Sequence, residues 1–316
     1  AEMLRTKRAV VAREEDILLT RGSQMALYLA AQALVAPGDV VAVEQLGYRP
    51  AWEAFRLAGA RLVSLPVDAG GLRVDELDKL CVRERVRAVV LTPHHQYPMT
   101  VTLETCRRMK LLQLAARHGM AVVEDDYDHE FHYEGKPILP LASADHQGVV
   151  VYVGTFTKLL APGIRLGYVV APQPVVARMA GLRALIDRQG DTVLEAAVAE
   201  LLRDGELQAH ARKARREYQQ RRDVLAELLT KELNDRVEFA LPPGGMALWV
   251  RVSDGVSTEL WAKSAHAQGL VFSPGSTYAL EGVCPSAVRL GYASLTPDEL
   301  REAVARLLTT YPYKKS

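Results

Sequence analysis

Short apolar segments alternate with amphipathic helical segments from about residue 16 to residue 205, and this alternation restricts the possible folds more than any other feature of the sequence. The apolar segments have the length of buried strands, and the segments between them have the periodicity of helices. The expected strands are 17–20, 40–44, 61–64, 88–92, 120–124 and 149–153. The pattern predicts βαβ units, and therefore an α/β fold with a mostly parallel sheet between helices.

The sequence changes character after residue 205. A long charged helix is expected over 206–232, followed by strands near 237–240 and 246–252 and by helices near 258–268 and 297–309. This mixture predicts a smaller α+β domain at the C-terminal end. We therefore expect three parts: 1–14, the end of an N-terminal helix whose preceding segment is absent; 15–205, a large domain; and 206–316, a small domain.

Composition excludes several classes of protein. The formal net charge of +1 provides no general attraction for nucleic acid or anionic membranes. No apolar run approaches the roughly 20 residues of a membrane span, and the first residues lack the apolar core of a signal peptide. Cys81, Cys106 and Cys284 are widely spaced, which suits a reducing cytoplasm. We expect a cytoplasmic protein without a membrane partner.

Lys158 ends a β-rich run that starts near residue 151, and it follows the hydroxyl side chains of Thr155 and Thr157. A lysine in such a position can act as an amine nucleophile toward an aldehyde. The two hydroxyl groups, together with Arg165 in the next loop, could hold a phosphate on that aldehyde.

A cluster of carboxylates and a tyrosine follows the apolar strand that ends near Glu124. The carboxyl ends of strands in open α/β sheets are where ligands bind. An aspartate there could pair with a pyridinium nitrogen, and Tyr127 could donate to a phenolate oxygen. Together with Lys158, these are the groups that a protein contributes to a pyridoxal phosphate site.

Three further features each allow a functional and a structural interpretation. The Gly22-Ser23 turn before a helix is either an anion site or a simple N-cap. Tyr48 either stacks on a flat cofactor or lies on a surface turn. Arg289, within an apolar strand, either binds a carboxylate ligand or has a structural partner.

Metal sites are alternatives at two places. His94 and His95 are adjacent, but neighbouring side chains diverge on regular structure and no third ligand is fixed by spacing, so we do not expect zinc there. The acidic residues and histidines over 124–132 could bind a divalent cation. The segment lacks the glycine of a typical cation loop, which disfavours this interpretation. The basic stretch 213–222 is more typical of a solvated helix face than of a nucleic-acid contact.

The ordered set of motifs resembles fold-type I pyridoxal phosphate-dependent aminotransferases, with a large domain and a smaller C-terminal domain. The motifs are Thr20-Arg-Gly-Ser-Gln24, Glu124-Asp-Asp-Tyr-Asp128, Gly154-Thr-Phe-Thr-Lys158 with Arg165, Pro243-Gly-Gly-Met246 and Arg289-Leu-Gly. Thr92-Pro-His-His-Gln-Tyr-Pro98 is most similar to the aminotransferase-like domain of MocR-type regulators of the GntR class. The resemblance covers nearly the whole chain.

The resemblance implies a role for each matching residue. Lys158 would form the internal aldimine and move the proton between Cα and C4′, and Asp125 would keep the pyridine nitrogen protonated. Tyr127 would bind the phenolate oxygen. The remaining implied roles are phosphate binding by Gly22, Ser23, Thr155, Thr157 and Arg165, with Gln24 beside them, ring stacking by Tyr48, cofactor contact by His95 or Gln96, and binding of the substrate carboxylate by Arg289.

The sequence departs from the family pattern in two ways. Gln96-Tyr-Pro-Met-Thr100 stands where many aminotransferases have Asn-Pro-x-Gly, so the contact of that asparagine is in question. MocR-type proteins also carry an N-terminal winged-helix domain, and none is visible in this sequence.

We therefore expect an enzyme that transfers an amino group from an amino acid to a 2-oxo acid through a Lys158 aldimine, as a homodimer with shared active sites. The alternative is the effector domain of a regulator that senses pyridoxal phosphate or an amino acid, with DNA as a partner only if a winged-helix domain precedes it. A metal-dependent hydrolase that uses residues 125–132 is a third possibility.

Overall fold

The computed structural model describes residues 1–135, 138–280 and 285–312. Cys284 lies outside these ranges. The helices are α1 Glu2–Arg8, α2 Gly22–Leu34, α3 Arg49–Leu57, α4 Val74–Arg83, α5 Thr105–His118, α6 Gln173–Ile186, α7 Thr192–Arg203, α8 Glu206–Leu233, α9 Thr258–Ala267 and α10 Pro297–Thr310. The strands are β1 Ile17–Thr20, β2 Val40–Glu44, β3 Arg61–Leu65, β4 Val67–Asp68, β5 Gly71–Leu72, β6 Val86–Leu91, β7 Ala121–Asp126, β8 Val150–Thr155, β9 Gly167–Val170, β10 Val237–Glu238, β11 Ala247–Val252, β12 Ser273–Pro274 and β13 Ala287–Gly291.

The larger sheet has seven strands in the order β1-β9-β8-β7-β6-β2-β3. The five strands β8, β7, β6, β2 and β3 run parallel to one another, whereas β9 pairs antiparallel with both β8 and β1. Strands β2, β6, β7 and β8 are almost entirely buried, because apolar clusters cover both faces of the sheet. The expected α/β fold with a mostly parallel sheet is confirmed.

A second sheet of four antiparallel strands has the order β10-β11-β13-β12. Its apolar side packs against α8, α9 and α10 through a separate cluster that includes Leu229, Trp261 and Val304. The long charged helix begins at Glu206, as expected. The division of the chain into domains at residue 205 stays a prediction.

Sequence patterns missed several elements in the described part of the chain. Helices α4, α6 and α7 were not predicted, and neither was strand β9. Helix α2 begins at Gly22 rather than at Gln24, and β10 spans two residues instead of four. No helix among the described residues is both long and apolar enough to cross a membrane.

Arg8 connects α1 to the middle of the larger sheet. Its guanidinium pairs with the carboxylate of Asp126, and the hydroxyl of Tyr152 donates to the same carboxylate at 2.8 Å. Both members of the ion pair are buried. Burial alone would raise the pKa of Asp126, but Arg8 and the neighbouring histidines hold this pKa well below its usual value. Because this ion pair is buried, water cannot replace Arg8 as the partner of Asp126. The pair therefore anchors helix α1 to the larger sheet.

Replacing Arg8 with methionine is expected to destabilise the protein by about 3–5 kcal/mol, because the buried carboxylate of Asp126 loses its counter-charge. Arg5→Met is the matched control, since Arg5 lies on the exposed side of the same helix. Urea unfolding at pH 7 measures both variants. Equal midpoints for the two variants would contradict this prediction.

Candidate active site

A cavity of about 190 Å³ lies at the carboxyl ends of the central parallel strands, where α/β sheets bind their ligands. Strands β7 and β8 end at this edge of the sheet, close to the turn before α2. Strand β13 of the smaller sheet faces them, and the cavity lies between these parts. The lining residues are Ser23, Gln24, Tyr48, Thr92, Tyr97, Asp125, Tyr127, Thr155, Thr157, Lys158, Arg165, Met246 and Arg289.

Asp125 is the buried acidic group of this cavity. Its Oδ1 atom has no hydrogen-bond partner among the described residues. Burial, followed by the neighbouring carboxylates of Asp126 and Asp128, raises the pKa of Asp125 to about 7, and the positive charge of Lys158 opposes that rise. A buried carboxyl group that lacks a donor is suited to a ligand that brings a protonated nitrogen.

Tyr127 lies two residues after Asp125. Its hydroxyl donates to the backbone oxygen of His95 at 3.1 Å. Burial raises the pKa of Tyr127 well above its ordinary value, so the phenol stays protonated and acts as a donor.

Lys158 and two threonines form the opposite side of the cavity. The Oγ1 atom of Thr157 is buried and has no partner among the described residues. Thr155 donates to the backbone oxygen of Leu166 at 3.2 Å and accepts from the backbone N–H of Thr157 at 3.1 Å. These contacts fix the turn that carries Lys158 from β8 into the cavity.

Positive groups gather where α2 begins. Gly22 has a φ of +76°, and a Cβ atom added to it would lie 3.0 Å from a terminal nitrogen of Arg165. Both the backbone conformation and the close approach of the guanidinium therefore require glycine. No carboxylate in the described ranges forms an ion pair with Arg165. The first N–H groups of α2, Ser23 and Arg165 together offer the donors and positive charge that suit an anion.

Arg289 reaches the cavity from β13. Its guanidinium carbon lies 4.8 Å from the centre of the Tyr97 ring, and its Nε atom has no hydrogen-bond partner within the described ranges. The Tyr97 ring contacts Tyr48, Tyr127 and Tyr278 edge to face. The arginine is thus held by stacking and retains its hydrogen-bonding edge for a carboxylate.

The structure brings ten of the thirteen predicted site residues to the cavity wall and leaves Gly22, His95 and Gln96 outside it. The Gln96 side chain donates to the backbone oxygens of Leu46 and Tyr97, each at 2.7 Å, so it shapes the loop. His95 Nδ1 lies 2.8 Å from Asp128 Oδ1. Both side chains have partners within the chain in this geometry, and the expected cofactor contact by His95 or Gln96 stays a prediction.

Sequence reasoning missed Thr92, Tyr97 and Met246 as lining residues. Thr92 directly follows β6, and its N–H and hydroxyl both donate to Glu44 at 3.0 Å. The hydroxyl in turn accepts from the backbone N–H of Tyr97 at 2.8 Å. The positions of Thr92 and Tyr97 in the sequence could have identified them, because both follow a parallel strand that ends at the same sheet edge as Asp125.

Comparisons with known proteins agree with this geometry. The family model for aminotransferase class I and II matches residues 1–307. An aromatic-amino-acid aminotransferase of Thermococcus litoralis is 31% identical over 98% of this chain and 76% of its own length. A probable rhizopine catabolism regulatory protein, MocR, of Rhizobium meliloti is 33% identical over 98% of this chain but only 62% of its own length.

A solved structure shows the same fold with a cofactor derivative bound. It is the α-aminoadipate aminotransferase of Thermus thermophilus complexed with N-(5′-phosphopyridoxyl)-L-leucine, which superposes with a TM-score of 0.89 at 28% identity and covers 98% of this chain and 85% of that one.

The cavity offers one complementary group for each polar part of such a cofactor. Asp125 suits a protonated ring nitrogen, the start of α2 with Arg165 suits a phosphate, and Lys158 supplies an amine. The buried, unpaired oxygen atoms of Asp125 and Thr157 would gain partners from it. The chain therefore belongs to the aminotransferase class I and II family, and its cofactor is pyridoxal phosphate.

Proposed function

We propose that this chain transfers an amino group from an amino acid to a 2-oxo acid, with Lys158 as the residue that carries the cofactor and moves the substrate proton. The observation that carries the proposal is the meeting of Asp125, Lys158, Arg165 and Arg289 around one cavity of about 190 Å³. Three of these groups match parts of the cofactor. Arg289 is left for the one feature that all amino acids and 2-oxo acids share, the carboxylate.

The bound cofactor supplies an electron sink, which makes the Cα proton of an amino acid easier to remove. The residues of the chain have separate tasks around it. Ser23, Thr157 and Arg165 would hold the phosphate, Thr155 would fix the turn before Lys158, and Tyr48 would lie against the ring. Lys158 would take the proton from the substrate Cα and later give it back, which is general acid–base catalysis by an amine.

Two groups control charge at the ring. Asp125, as a carboxylate, would hold a proton on the ring nitrogen, and the Tyr127 hydroxyl would turn from the His95 backbone oxygen to donate a hydrogen bond to the phenolate oxygen. Since Asp125 is buried, its charge acts on the ring with little screening by water. Tyr97 and Tyr127 also enclose the cavity with aromatic surface.

The first test follows the cofactor spectrum while a panel of amino acids is added to the purified protein. An amino donor is expected to shift the near-visible absorbance, and a 2-oxo acid is expected to restore it. A panel that leaves the spectrum unchanged, together with no amino transfer to any 2-oxo acid, would overturn the proposal.

Arg289→Gln tests the carboxylate contact. We expect kcat/KM for amino donors to fall by roughly 10–100-fold, mainly through KM, because a charge-assisted hydrogen bond contributes about 1.5–3 kcal/mol. Cofactor affinity should not change. Arg251→Gln is the matched control, since Arg251 lies on the adjacent strand β11 and is exposed. An unaltered KM in Arg289→Gln would remove Arg289 from the substrate site.

A regulatory function is the second candidate, and the 33% identity with MocR supports it. In that case the same cavity would bind the cofactor or an amino acid without completing amino transfer. The two proposals differ in one measurement, which is turnover with the amino-acid panel. DNA would be a partner only through a winged-helix domain preceding Ala1. The metal-dependent hydrolase loses its support, because membership of the aminotransferase family accounts for Asp125 and Tyr127.

We also propose a homodimer. Lys158 and Arg165 are exposed in the single chain although they line the cavity, and large apolar side chains near α6 and α7 face solvent, among them Leu185 and Val193. A second copy could cover such surfaces. Light scattering of the eluting protein would give the mass of two chains, and a single-chain mass would refute the dimer.

A further inference from the structure

Three histidines meet in a buried cluster that the amino-transfer site does not use. His94 and His95 lie in the loop after β6, and His132 follows the short helical turn after β7. Their exposed fractions are 3%, 1% and 7%. One ring nitrogen from each histidine lies within 4.8 Å of those of the other two. None of the three lines the cavity that contains Lys158.

Carboxylates lie beside two of these rings, and the one beside His95 forms a hydrogen bond with it, as is typical of metal ligands. His95 Nδ1 lies 2.8 Å from Asp128 Oδ1, and His94 Nδ1 lies 3.3 Å from Asp126 Oδ1. Histidines that bind metals usually turn one ring nitrogen toward such a carboxylate, which fixes the ring and leaves the other nitrogen for the ion.

The opposite nitrogen atoms of these two rings have no partners among the described residues. The Nε2 atoms of His94 and His95 are buried and have no hydrogen-bond partner among the residues described. Buried polar atoms in folded proteins normally have a partner, so two in one cluster indicate a missing ligand.

We propose that His94, His95 and His132 bind one divalent transition-metal ion. Zn²⁺ fits this donor set best, because imidazole nitrogens are among its preferred ligands and three histidines leave one tetrahedral position for water or an anion. With zinc–nitrogen distances of about 2.1 Å, tetrahedral ligands lie about 3.4 Å apart. The rings must therefore approach one another by no more than about 1.4 Å when the ion binds.

The surroundings leave space for an ion and a route to it. His132, with Arg8, His129 and Glu130, lines a second cavity of about 360 Å³ that opens to solvent, so an ion can reach the cluster from that side. Gly244 pairs with His132 through its backbone, and a Cβ atom on Gly244 would lie 2.5 Å from His95 Nε2. The absence of a side chain at Gly244 thus keeps that nitrogen accessible.

A bound ion would have a structural effect on the neighbouring active site. It would join the loop after β6 to the segment that follows Asp125 and Tyr127, and these are the two residues assigned to the cofactor ring. The proposal does not depend on amino transfer, since none of the three ligands lines the cavity. Lys158→Ala should therefore bind the ion as well as the unaltered protein does.

Isothermal titration calorimetry with ZnCl₂ tests the site, in protein that contains pyridoxal phosphate but no metal. We expect one ion per chain, an affinity at least roughly 100-fold lower in His132→Gln, and about tenfold lower in Asp128→Asn, which disturbs only the orientation of His95. His118→Gln is the control, because His118 is exposed on α5 and should not matter. All proteins in the series carry Cys106→Ser, since Cys106 is an exposed thiol.

The opposite results are equally clear. Absence of saturable binding, or binding that survives both His132→Gln and His94→Gln, overturns the site and leaves a metal-free histidine and aspartate network. If these variants do not fold, X-ray absorption of the zinc-loaded, unaltered protein decides. Scattering from three imidazole rings supports the site, and a shell dominated by oxygen or sulfur refutes it.

Discussion

Lys158→Ala is expected to remove amino transfer, with kcat lower by at least about 10³-fold. The amine of Lys158 has two tasks in the proposed reaction, covalent attachment of the cofactor aldehyde and proton transfer at the substrate Cα. Proton transfer by a positioned side chain alone contributes about 10²–10⁴-fold. The near-visible absorbance of the attached cofactor should also disappear, and borohydride reduction should no longer fix the cofactor to the chain.

The same variant should retain the fold and bind the cofactor non-covalently. Asp125, Tyr127, Arg165 and the start of α2 remain in place, and Lys158 itself forms no ion pair in the described part of the chain. Lys231→Ala is the control, because Lys231 is exposed near the end of α8. If Lys158→Ala keeps more than a tenth of the unaltered kcat, a different residue moves the proton and the proposed function has to be revised.

The sequence predicted the sheet edge well for a physical reason. Parallel strands direct their carboxyl ends to one side, so residues after β2, β6, β7 and β8 must meet there whatever the exact helix packing. Asp125, Tyr127, Thr155 and Lys158 are near in sequence to such strand ends. Their convergence follows from strand order alone.

Other features depend on tertiary packing and left no local signal. Strand β9 is four residues long and fully buried, and a short apolar run without alternation cannot be distinguished from a helix or loop segment. Arg8 is recognisable as structural only when Asp126 is seen beside it. His132 lies far along the chain from His94 and His95, so the third member of their cluster could not be found by spacing.

The loop that contains Gln96 illustrates both outcomes. Its position after β6 correctly placed it at the sheet edge, and Tyr97 does line the cavity. The direction of each side chain, however, is decided by local hydrogen bonds, which turn Gln96 toward Leu46 and leave Tyr97 against Arg289. Adjacent residues in an irregular loop can exchange such roles without any change in hydrophobic pattern.

Asp125→Asn is expected to lower kcat by roughly 10²-fold while leaving the cofactor attached to Lys158. A nearby carboxylate raises the pKa of a cationic group by about 1–3 units, and each unit corresponds to a tenfold change in the protonated population. Asparagine keeps the size of the side chain but lacks the negative charge that favours a protonated ring nitrogen. Asp125→Glu, which retains the charge, should recover part of the rate. Equal rates for the Asn and Glu variants would show that charge at this position is unimportant.

A stability measurement on the cofactor-free protein separates the charge of Asp125 from its packing. Burial and neighbouring carboxylates raise the pKa of Asp125 to about 7, compared with about 4 in an unfolded chain. The protonated form therefore contributes stability below about pH 4, and this contribution is lost as the pH rises to about 7. Asparagine does not ionise, so Asp125→Asn does not lose this contribution. The free energy of unfolding of the variant, relative to that of the unaltered protein, should therefore rise by roughly 1 kcal/mol or more as the pH increases from about 4 to about 7. Urea unfolding across this pH range measures the difference in free energy of unfolding between the two proteins. A difference that does not change with pH would mean that Asp125 is already ionised before the cofactor binds.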